Sequence, residues 1–376
     1  AVLDSGAVVH KVFTFHADKY HFDVEVRYAN PGQDALKGAV VFSLVNKWDD
    51  AMAESRYDFV GPTTYDGEDI HKDEVEDLAE EGAEEYQAAE WTGFGTKYFV
   101  SIVEPSDDGY DYFRIEKGRD LVENKVVSPY MTIDPGTSAS MSYLVYMGPK
   151  NNDLLKAAGS DFHQIIDFGF FAPLSRPLLQ FLKFIHGYLG NYGLAIILLT
   201  VIIKALFWPL TQKSYTSMKA MQKLQPQMQK IREKFKNDRE RLNRELMELY
   251  KENRVNPLGG CLPMLVQIPV FIALYKVLLF SIELRHAPFA FWLTDLSAKD
   301  PYYITPILMG ATMFLQQKMT PTTMDPTQAK IFMIMPVVFT FIFLNFPSGL
   351  VIYWLINNVL TIGQQVMINR KDPVKA

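Results

Sequence analysis

Lys204 lies inside the apolar run Tyr192-Gly-Leu-Ala-Ile-Ile-Leu-Leu-Thr-Val-Ile-Ile-Lys-Ala-Leu-Phe-Trp-Pro-Leu210, where a charge is costly unless it has a use. The run is long enough to cross a bilayer, which takes about 20 residues. A lysine near the centre of such a helix costs about 2.5–3.5 kcal/mol on insertion scales, so it is expected to face a protein interior or a wet cavity and to mark a site. The competing reading is a snorkelling lysine; at about 1.5 Å per residue, Lys204 is roughly 20 Å deep counted from Asn191, which strains that reach. Thr200 stands one turn earlier on the same face, and uncharged polar side chains recur in later apolar segments at Gln267, Gln316, Gln317, Asn357 and Asn358. Singly, each is equally well explained by a hydrogen bond between helices, worth about 0.6 kcal/mol in membranes. Beside one buried cation, the set points to a hydrophilic cavity in a helical bundle. Trp354 is a further lining candidate, with packing or interfacial anchoring as its alternative.

Five apolar segments must position these groups, near 190–210, 258–281, 302–318, 331–346 and 348–368. The 211–256 segment carries 12 Lys/Arg against 6 Asp/Glu, and 281–302 carries two against three. The positive-inside rule places 211–256 in the cytoplasm. Alternation then puts residues 1–188 and the 282–302 loop outside, with the 320–330 loop and the tail 369–376 inside. Two spans are short: 15 and 16 residues give about 22 and 24 Å of helix against a hydrocarbon core of about 30 Å, so the bilayer should thin beside them. Prolines at 263, 269, 306 and 336 interrupt backbone bonds within the spans, which suits a mobile bundle.

Ahead of the first span, in 167–189, Leu174, Leu178, Leu182, Ile185 and Leu189 recur at helical spacing with Arg176, Gln180 and Lys183 elsewhere on the wheel. An amphipathic helix in the interface plane is expected, packing on the soluble part being the alternative. Within 211–256, Met218, Met221, Leu224, Met228, Ile231 and Phe235 step by three and four, and Leu242, Leu246, Leu249 and Tyr250 repeat the pattern after a break at Lys236-Asn-Asp238. The pattern predicts an antiparallel helical hairpin with an apolar seam. Pro226 should start a new helix, the preceding one running on from the span to about Gln225. Arg232, Lys234, Arg239 and Arg241, with the methionines Met218, Met221 and Met228, are candidate contacts for a ribosome, a targeting factor or anionic headgroups.

The first 160 residues read differently. Residues 20–28 place Phe22, Val24, Val26 and Tyr28 on one face and Asp23, Glu25 and Arg27 on the other, the period-2 pattern of a half-buried strand, and Asn30-Pro-Gly32 turns it. Similar runs at 39–45, 97–103, 110–115 and 140–147 predict a β-sandwich. The acidic stretch 68–90 has helix-forming composition and reads as a solvated surface segment. Residues 1–170 hold 14 Lys/Arg against 32 Asp/Glu, and 171–376 hold 23 against 11, so the overall charge of −6 hides a strong asymmetry. The single cysteine, Cys261, excludes an intramolecular disulfide. No initiating Met or secretory signal opens the chain, which reads as an N-terminus removed or truncated.

The motifs Pro209-Leu-Thr-Gln-Lys-Ser-Tyr-Thr-Ser-Met218, Leu224-Gln-Pro226, Val255-Asn-Pro-Leu-Gly-Gly-Cys-Leu-Pro263, Gln267-Ile-Pro269, Asp300-Pro-Tyr-Tyr-Ile304 and Phe346-Pro-Ser-Gly349 resemble the YidC/Oxa/Alb membrane insertase family, in its Gram-negative branch. The resemblance is dense over 165–370, while 1–160 resembles the second half of that family's periplasmic supersandwich. It implies a polytopic α-helical membrane protein: a five-helix insertase core at 190–368 with a cytoplasmic helical hairpin, plus an N-terminal extracytoplasmic β-sandwich. It further implies a groove open to cytoplasm and lipid, where the hydrophilic segment of a nascent membrane protein rests while its hydrophobic segment enters the bilayer. Candidate groove residues are Lys204, Thr200, Gln267, Gln317, Asn357, Asn358 and Trp354. The family's groove carries one arginine, and Lys204 stands at that position. A guanidinium stays charged and clasps a carboxylate with two bonds, whereas an ammonium is a point charge whose protonation depends on its surroundings.

The implied location is the bacterial inner membrane. The implied partners are nascent membrane proteins and the lipid bilayer, with the Sec translocon, the signal recognition particle receptor and the ribosome as candidates, and no direct DNA binding. No Walker-type loop is visible, and no metal, cofactor or catalytic site is expected. A secondary transporter or channel using Lys204 is the alternative, opposed by the odd number of spans, the lack of an inverted repeat and the lack of an intramembrane carboxylate. A carbohydrate-active β-domain using His10, His16, His21 and Asp23 is a third reading, resting on fold resemblance alone.

Overall fold

The structure is a computed structural model that describes residues 1–376 except 4–5, 54–58, 107–108, 160, 254, 256–261, 321–325 and 372–376. Cys261, much of the 320–330 loop and most of the charged tail therefore lie outside the described residues. The chain divides into two compact units, Ala1–Asp167 with Phe280–Ile282, and Phe168–Leu279 with Glu283–Ala376.

The first unit is a β-sandwich. Its strands are β1 (Val8–Phe15), β2 (His21–Ala29), β3 (Leu36–Gly38), β4 (Val41–Lys47), β5 (Gly61–Tyr65), β6 (Ile70–Lys72), β7 (Glu84–Tyr86), β8 (Trp91–Gly95), β9 (Phe99–Pro105), β10 (Tyr112–Lys117), β11 (Leu121–Val127), β12 (Met131–Ile133) and β13 (Ser138–Pro149). A seven-stranded sheet in the order β1-β2-β13-β9-β8-β5-β6 faces a four-stranded sheet in the order β4-β11-β10-β7. The alternation in β2 sets the register: Val24 and Val26 lie opposite Tyr143 and Met141 of β13, and all four enter one core with Leu44, Phe113 and Val126 of the second sheet. The Asn30 carboxamide oxygen accepts from the Gly32 N–H at 3.0 Å, forming the turn expected at Asn30-Pro-Gly32.

Short helices α1 (Asp50–Ala53), α2 (Val75–Glu80) and α3 (Asn152–Ala158) complete the unit. Leu155 of α3 and Phe162 just after it cover the other face of the large sheet around Trp91 and Tyr146, so β5 and β8 are buried throughout. The acidic stretch departs from the helical expectation: only α2 is helical, between the short strands β6 and β7, because Val75 and Leu78 are drawn into the core.

The second unit is helical: α4 (Ala172–Leu189), α5 (Tyr192–Leu206), α6 (Trp208–Lys223), α7 (Gln225–Lys234), α8 (Arg239–Glu252), α9 (Leu262–Phe280), α10 (Ile304–Met319), α11 (Pro326–Phe343) and α12 (Ser348–Lys371). Among the described residues, Ser348–Arg370 alone is long and apolar enough to cross a bilayer as one straight helix. Tyr192–Leu206 and Trp208–Lys223 qualify together, and Leu265–Phe280 and Phe332–Phe343 are shorter apolar helices. The expected unbroken run from the first span to Gln225 is corrected here: α5 and α6 are bent by 60° at Phe207. Pro209 at the start of α6 has no N–H to continue the ladder of α5. Pro226 opens α7 as expected.

α4 is fixed to α9. The Ser175 hydroxyl donates to the Ala273 carbonyl at 3.2 Å, the Lys276 ammonium donates to the Phe168 carbonyl at 2.8 Å, and Lys183 lies 3.8 Å from Glu283. Its buried positions are Ser175, Leu179, Leu182 and Ile185, leaving Leu189 exposed, so the packed face is rotated from the one the leucine spacing suggested. Phe181, Phe184 and Tyr188 form an exposed aromatic ladder on another face.

Candidate functional site

Lys204 sits two residues before the end of α5, on the face made of Gly193, Ile196, Thr200 and Lys204, while Leu194, Leu198, Val201 and Ile202 point outward. It is only 7% exposed, so the ammonium turns inward rather than snorkelling. Its Nζ donates to Thr361 Oγ1 on α12 at 2.7 Å, and that hydroxyl donates to the Asn357 carbonyl one turn earlier at 2.6 Å. Thr200 donates to the Ile196 carbonyl at 2.6 Å, which satisfies its hydroxyl within α5. Among the described residues no carboxylate pairs with Lys204, and none occurs in α5, α9, α10, α11 or α12.

The polar column continues along α12 beyond the expected residues. The Gln364 amide donates to the Trp208 carbonyl at 3.3 Å, closing the start of α6 against α12. Gln365 bonds the Tyr215 hydroxyl and donates to Thr320 at 2.9 Å, joining α12 to α6 and to the residue that caps the end of α10. The Lys219 ammonium donates to the Ile368 carbonyl at 3.3 Å and is itself buried. Asn357, Thr361, Gln364 and Ile368, with Asn358 and Gln365 beside them, repeat every three or four residues. That spacing is visible in the sequence and would have added Thr361, Gln364 and Gln365 to the site; Tyr215 and Lys219 joined it only through the bend at Phe207.

The other expected groove residues are placed separately. Asn358 is buried and donates weakly to the Met309 carbonyl and Thr312 hydroxyl of α10, both at 3.4 Å. The Gln317 amide donates to the Phe332 carbonyl of α11 at 2.5 Å. Pro336 explains this bond: it lacks the N–H that would bind residue 332 in an unbroken helix, and a neighbouring side chain supplies the replacement. Where α10 and α11 cross, Gly310 is required, since a Cβ there would lie 1.9 Å from Thr340 Oγ1. Trp354 packs edge-on to Phe271 at 4.7 Å and to Phe343 at 4.9 Å, uniting α9, α11 and α12. Gln267 is half-buried on α9.

In the hairpin, Met228 joins Leu224 and Leu249 in the seam, with Ile231, Leu246 and Tyr250 alongside. Met221 is also buried and Met218 half-buried, so the exposed Met-rich face expected there is corrected: Met228 fills the seam, where the Tyr250 hydroxyl lies 3.8 Å from its sulfur. Arg232, Lys234, Arg239 and Arg241 are exposed, and Lys234 and Arg241 both lie over the Phe235 ring, at 5.2 and 5.0 Å.

Residues 184–375 match the family model described as 60Kd inner membrane protein, and residues 1–181 match the YidC periplasmic domain. The membrane protein insertase YidC of Geobacter sp. (strain M21) is 52% identical over 366 residues, covering 97% of this chain and 68% of the relative. That of Geobacter sulfurreducens is 53% identical over 374 residues, covering 98% and 70%. A solved active YidC insertase with its first transmembrane domain resolved aligns at 19% identity and a TM-score of 0.45, covering 97% of this chain and 74% of that one.

Proposed function

Since this chain belongs to the YidC family of membrane protein insertases, we propose that Lys204 and the polar column of α12 form an intramembrane groove that receives the hydrophilic segment of a nascent membrane protein. One observation carries this reading: a buried ammonium with a hydroxyl partner and, among the described residues, no carboxylate counter-charge. A permanent carboxylate would neutralise the site. A hydroxyl orients the ammonium while leaving its charge available to an incoming acidic group.

In this mechanism the acidic segment of a client enters along the hydroxyls and amides of Thr361, Gln364 and Gln365, and its carboxylate pairs with Lys204. The client's apolar segment meanwhile moves into lipid along the outward faces of α10 and α11, where Ile307, Phe314, Phe332 and Phe341 are exposed. Burial of that segment supplies the driving force, so nucleotide hydrolysis is not required. The 16 residues of α10 span about 24 Å, which lowers the hydrocarbon barrier beside the groove. The β-sandwich lies in the periplasm, α4 in the interface, and the hairpin in the cytoplasm. There the exposed face of Arg232, Lys234, Arg239 and Arg241 offers a docking surface for the ribosome or the signal recognition particle receptor, with the Sec translocon as a further partner.

The test is reconstitution in protein-free liposomes with a single-span client whose translocated tail is acidic. Lys204→Ala should reduce tail translocation by about tenfold or more, matching the loss of a charge-assisted bond of about 1.5–3 kcal/mol. Lys204→Arg should retain translocation, and a client with a neutral tail should be indifferent to both changes. Normal translocation of the acidic tail by the Ala variant would remove Lys204 from this role.

A further inference from the structure

The segment between α9 and α10 contains three of the five non-glycine residues with positive φ among the described residues: His286 at 57°, Phe291 at 53° and Tyr303 at 56°. A bulky side chain in the left-handed region is strained and persists only where its surroundings over-determine it. Here they do. The Asn191 amide donates to the Phe289 carbonyl at 2.9 Å, and the Phe289 ring lies so close to Gly193 that a Cβ there would be 2.0 Å from it. The Leu293 N–H donates to the Ala290 carbonyl at 3.0 Å, and the Phe289 N–H donates to the Leu293 carbonyl at 2.9 Å. The Ser348 and Gly349 N–H groups at the start of α12 bind the Ala298 and Leu296 carbonyls at 2.7 and 2.9 Å.

This fastening displays apolar surface instead of hiding it. Phe291 is 93% exposed, and Tyr302 and Tyr303 are exposed as well. Trp292 lies between Phe291, stacked at 6.0 Å, and Tyr302, edge-on at 6.4 Å, with its indole N–H donating to Asp300 at 3.0 Å. The Lys299 ammonium stands 6.0 Å over the Tyr303 ring. The ridge is continuous with the exposed apolar face of α10, which begins at Ile304 and runs through Ile307 and Leu308 to Phe314 and Leu315. Aromatic rings and a cation at the end of such a face match the composition of a lipid–water interface.

We propose that the ridge of Phe291, Trp292 and Tyr302 is a lipid anchor, seated at the boundary of headgroups and acyl chains in the leaflet at this end of α10. Because the ridge is rigid, the anchor holds the leaflet boundary at Ile304.

The experiment uses the full chain with Cys261→Ser and Phe291→Cys, labelled with an environment-sensitive fluorophore. The protein is placed in phosphatidylethanolamine–phosphatidylglycerol vesicles whose acyl chains carry bromine either near the headgroup or near the chain end. An anchor about 5–10 Å below the surface should lose roughly half its emission to the shallow bromines, little to the deep ones and little to aqueous iodide. Iodide quenching without bromolipid quenching would place Phe291 in water, and protection from both would mean that protein covers it; either overturns the anchor. A label at Tyr302→Cys should repeat the result independently. Lengthening the acyl chains should leave the shallow-to-deep ratio unchanged, since an anchor stays at the leaflet boundary, and a shift towards the deep bromines would overturn the anchor.

Discussion

At Thr361 one hydroxyl has two duties: it accepts from Lys204 and donates to the Asn357 carbonyl. Thr361→Val nearly conserves shape and leaves the ammonium without its acceptor, which should cost about 1.5–3 kcal/mol in thermal or denaturant unfolding in detergent. In a Lys204→Met background the same change should cost much less, since the charge that needed the acceptor is gone; additive losses would show that the pair is not coupled. Asp300 supplies the pH-dependent case outside the spans. Burial pushes its carboxyl pKa upward, but bonds from the Thr305 N–H and hydroxyl, the Tyr302 N–H and the Trp292 indole outweigh this and hold it below its ordinary range. A pKa lower in the folded state than in the unfolded state means the stabilisation is complete above the unfolded value and is lost as pH falls through the folded one. Hydrogen exchange at Tyr302 and Thr305, corrected for intrinsic rates, should therefore accelerate only in acid. Asp300→Asn should exchange faster already at neutral pH and lose most of that acid dependence.

Between helices, the bond from Gln317 to the Phe332 carbonyl follows from Pro336, a residue of the neighbouring helix α11. Gln317→Leu should destabilise the bundle by about 1 kcal/mol, within the range of membrane hydrogen bonds. In a Pro336→Ala background, where residue 336 regains its N–H, the penalty should nearly vanish. Equal penalties in both backgrounds, measured by unfolding in mixed micelles, would assign Gln317 another role. The hairpin shows what element-scale reading achieves: spacing located α7, α8 and their seam because a coiled seam is a local periodicity. The break at Phe207 escaped it, since Pro209 fits either the interior of a kinked helix or the first turn of a new one.

For the whole molecule, the helical unit is closed by its own contacts. α4 is bound to α9 through Ser175 and Lys276, and α12 meets α5, α6 and α10 through Thr361, Gln364, Gln365 and Asn358. Removing residues 1–166 and supplying a signal anchor should therefore leave liposome insertion within about twofold of the intact chain. Removing 226–253 should reduce it several-fold, because the exposed basic surface of the hairpin goes with it. Both are compared at equal membrane abundance. Insertion lost with the β-sandwich and kept without the hairpin would reverse this division of labour.

The apolar runs, the charge asymmetry, the strand alternation of β2 and the hairpin seam are local patterns, and the sequence by itself determined them along with the family resemblance. It also singled out Lys204, because a charge inside an apolar run is anomalous wherever the helix later packs. The partner of that charge was a tertiary decision: Thr361 lies 157 residues further along the chain. Which face of α12 meets α5 depends on helix rotation and on the bend at Phe207. The same holds for Gln317 and Trp354, whose types fitted a wet groove as well as a packed bundle; a neighbour's unpaired carbonyl placed the first, and the rings of Phe271 and Phe343 placed the second. Periodicity records which side of an element is buried, whereas the identity of the atom across the gap is set only when several elements pack at once, each choosing the rotation that leaves the fewest polar groups unpaired.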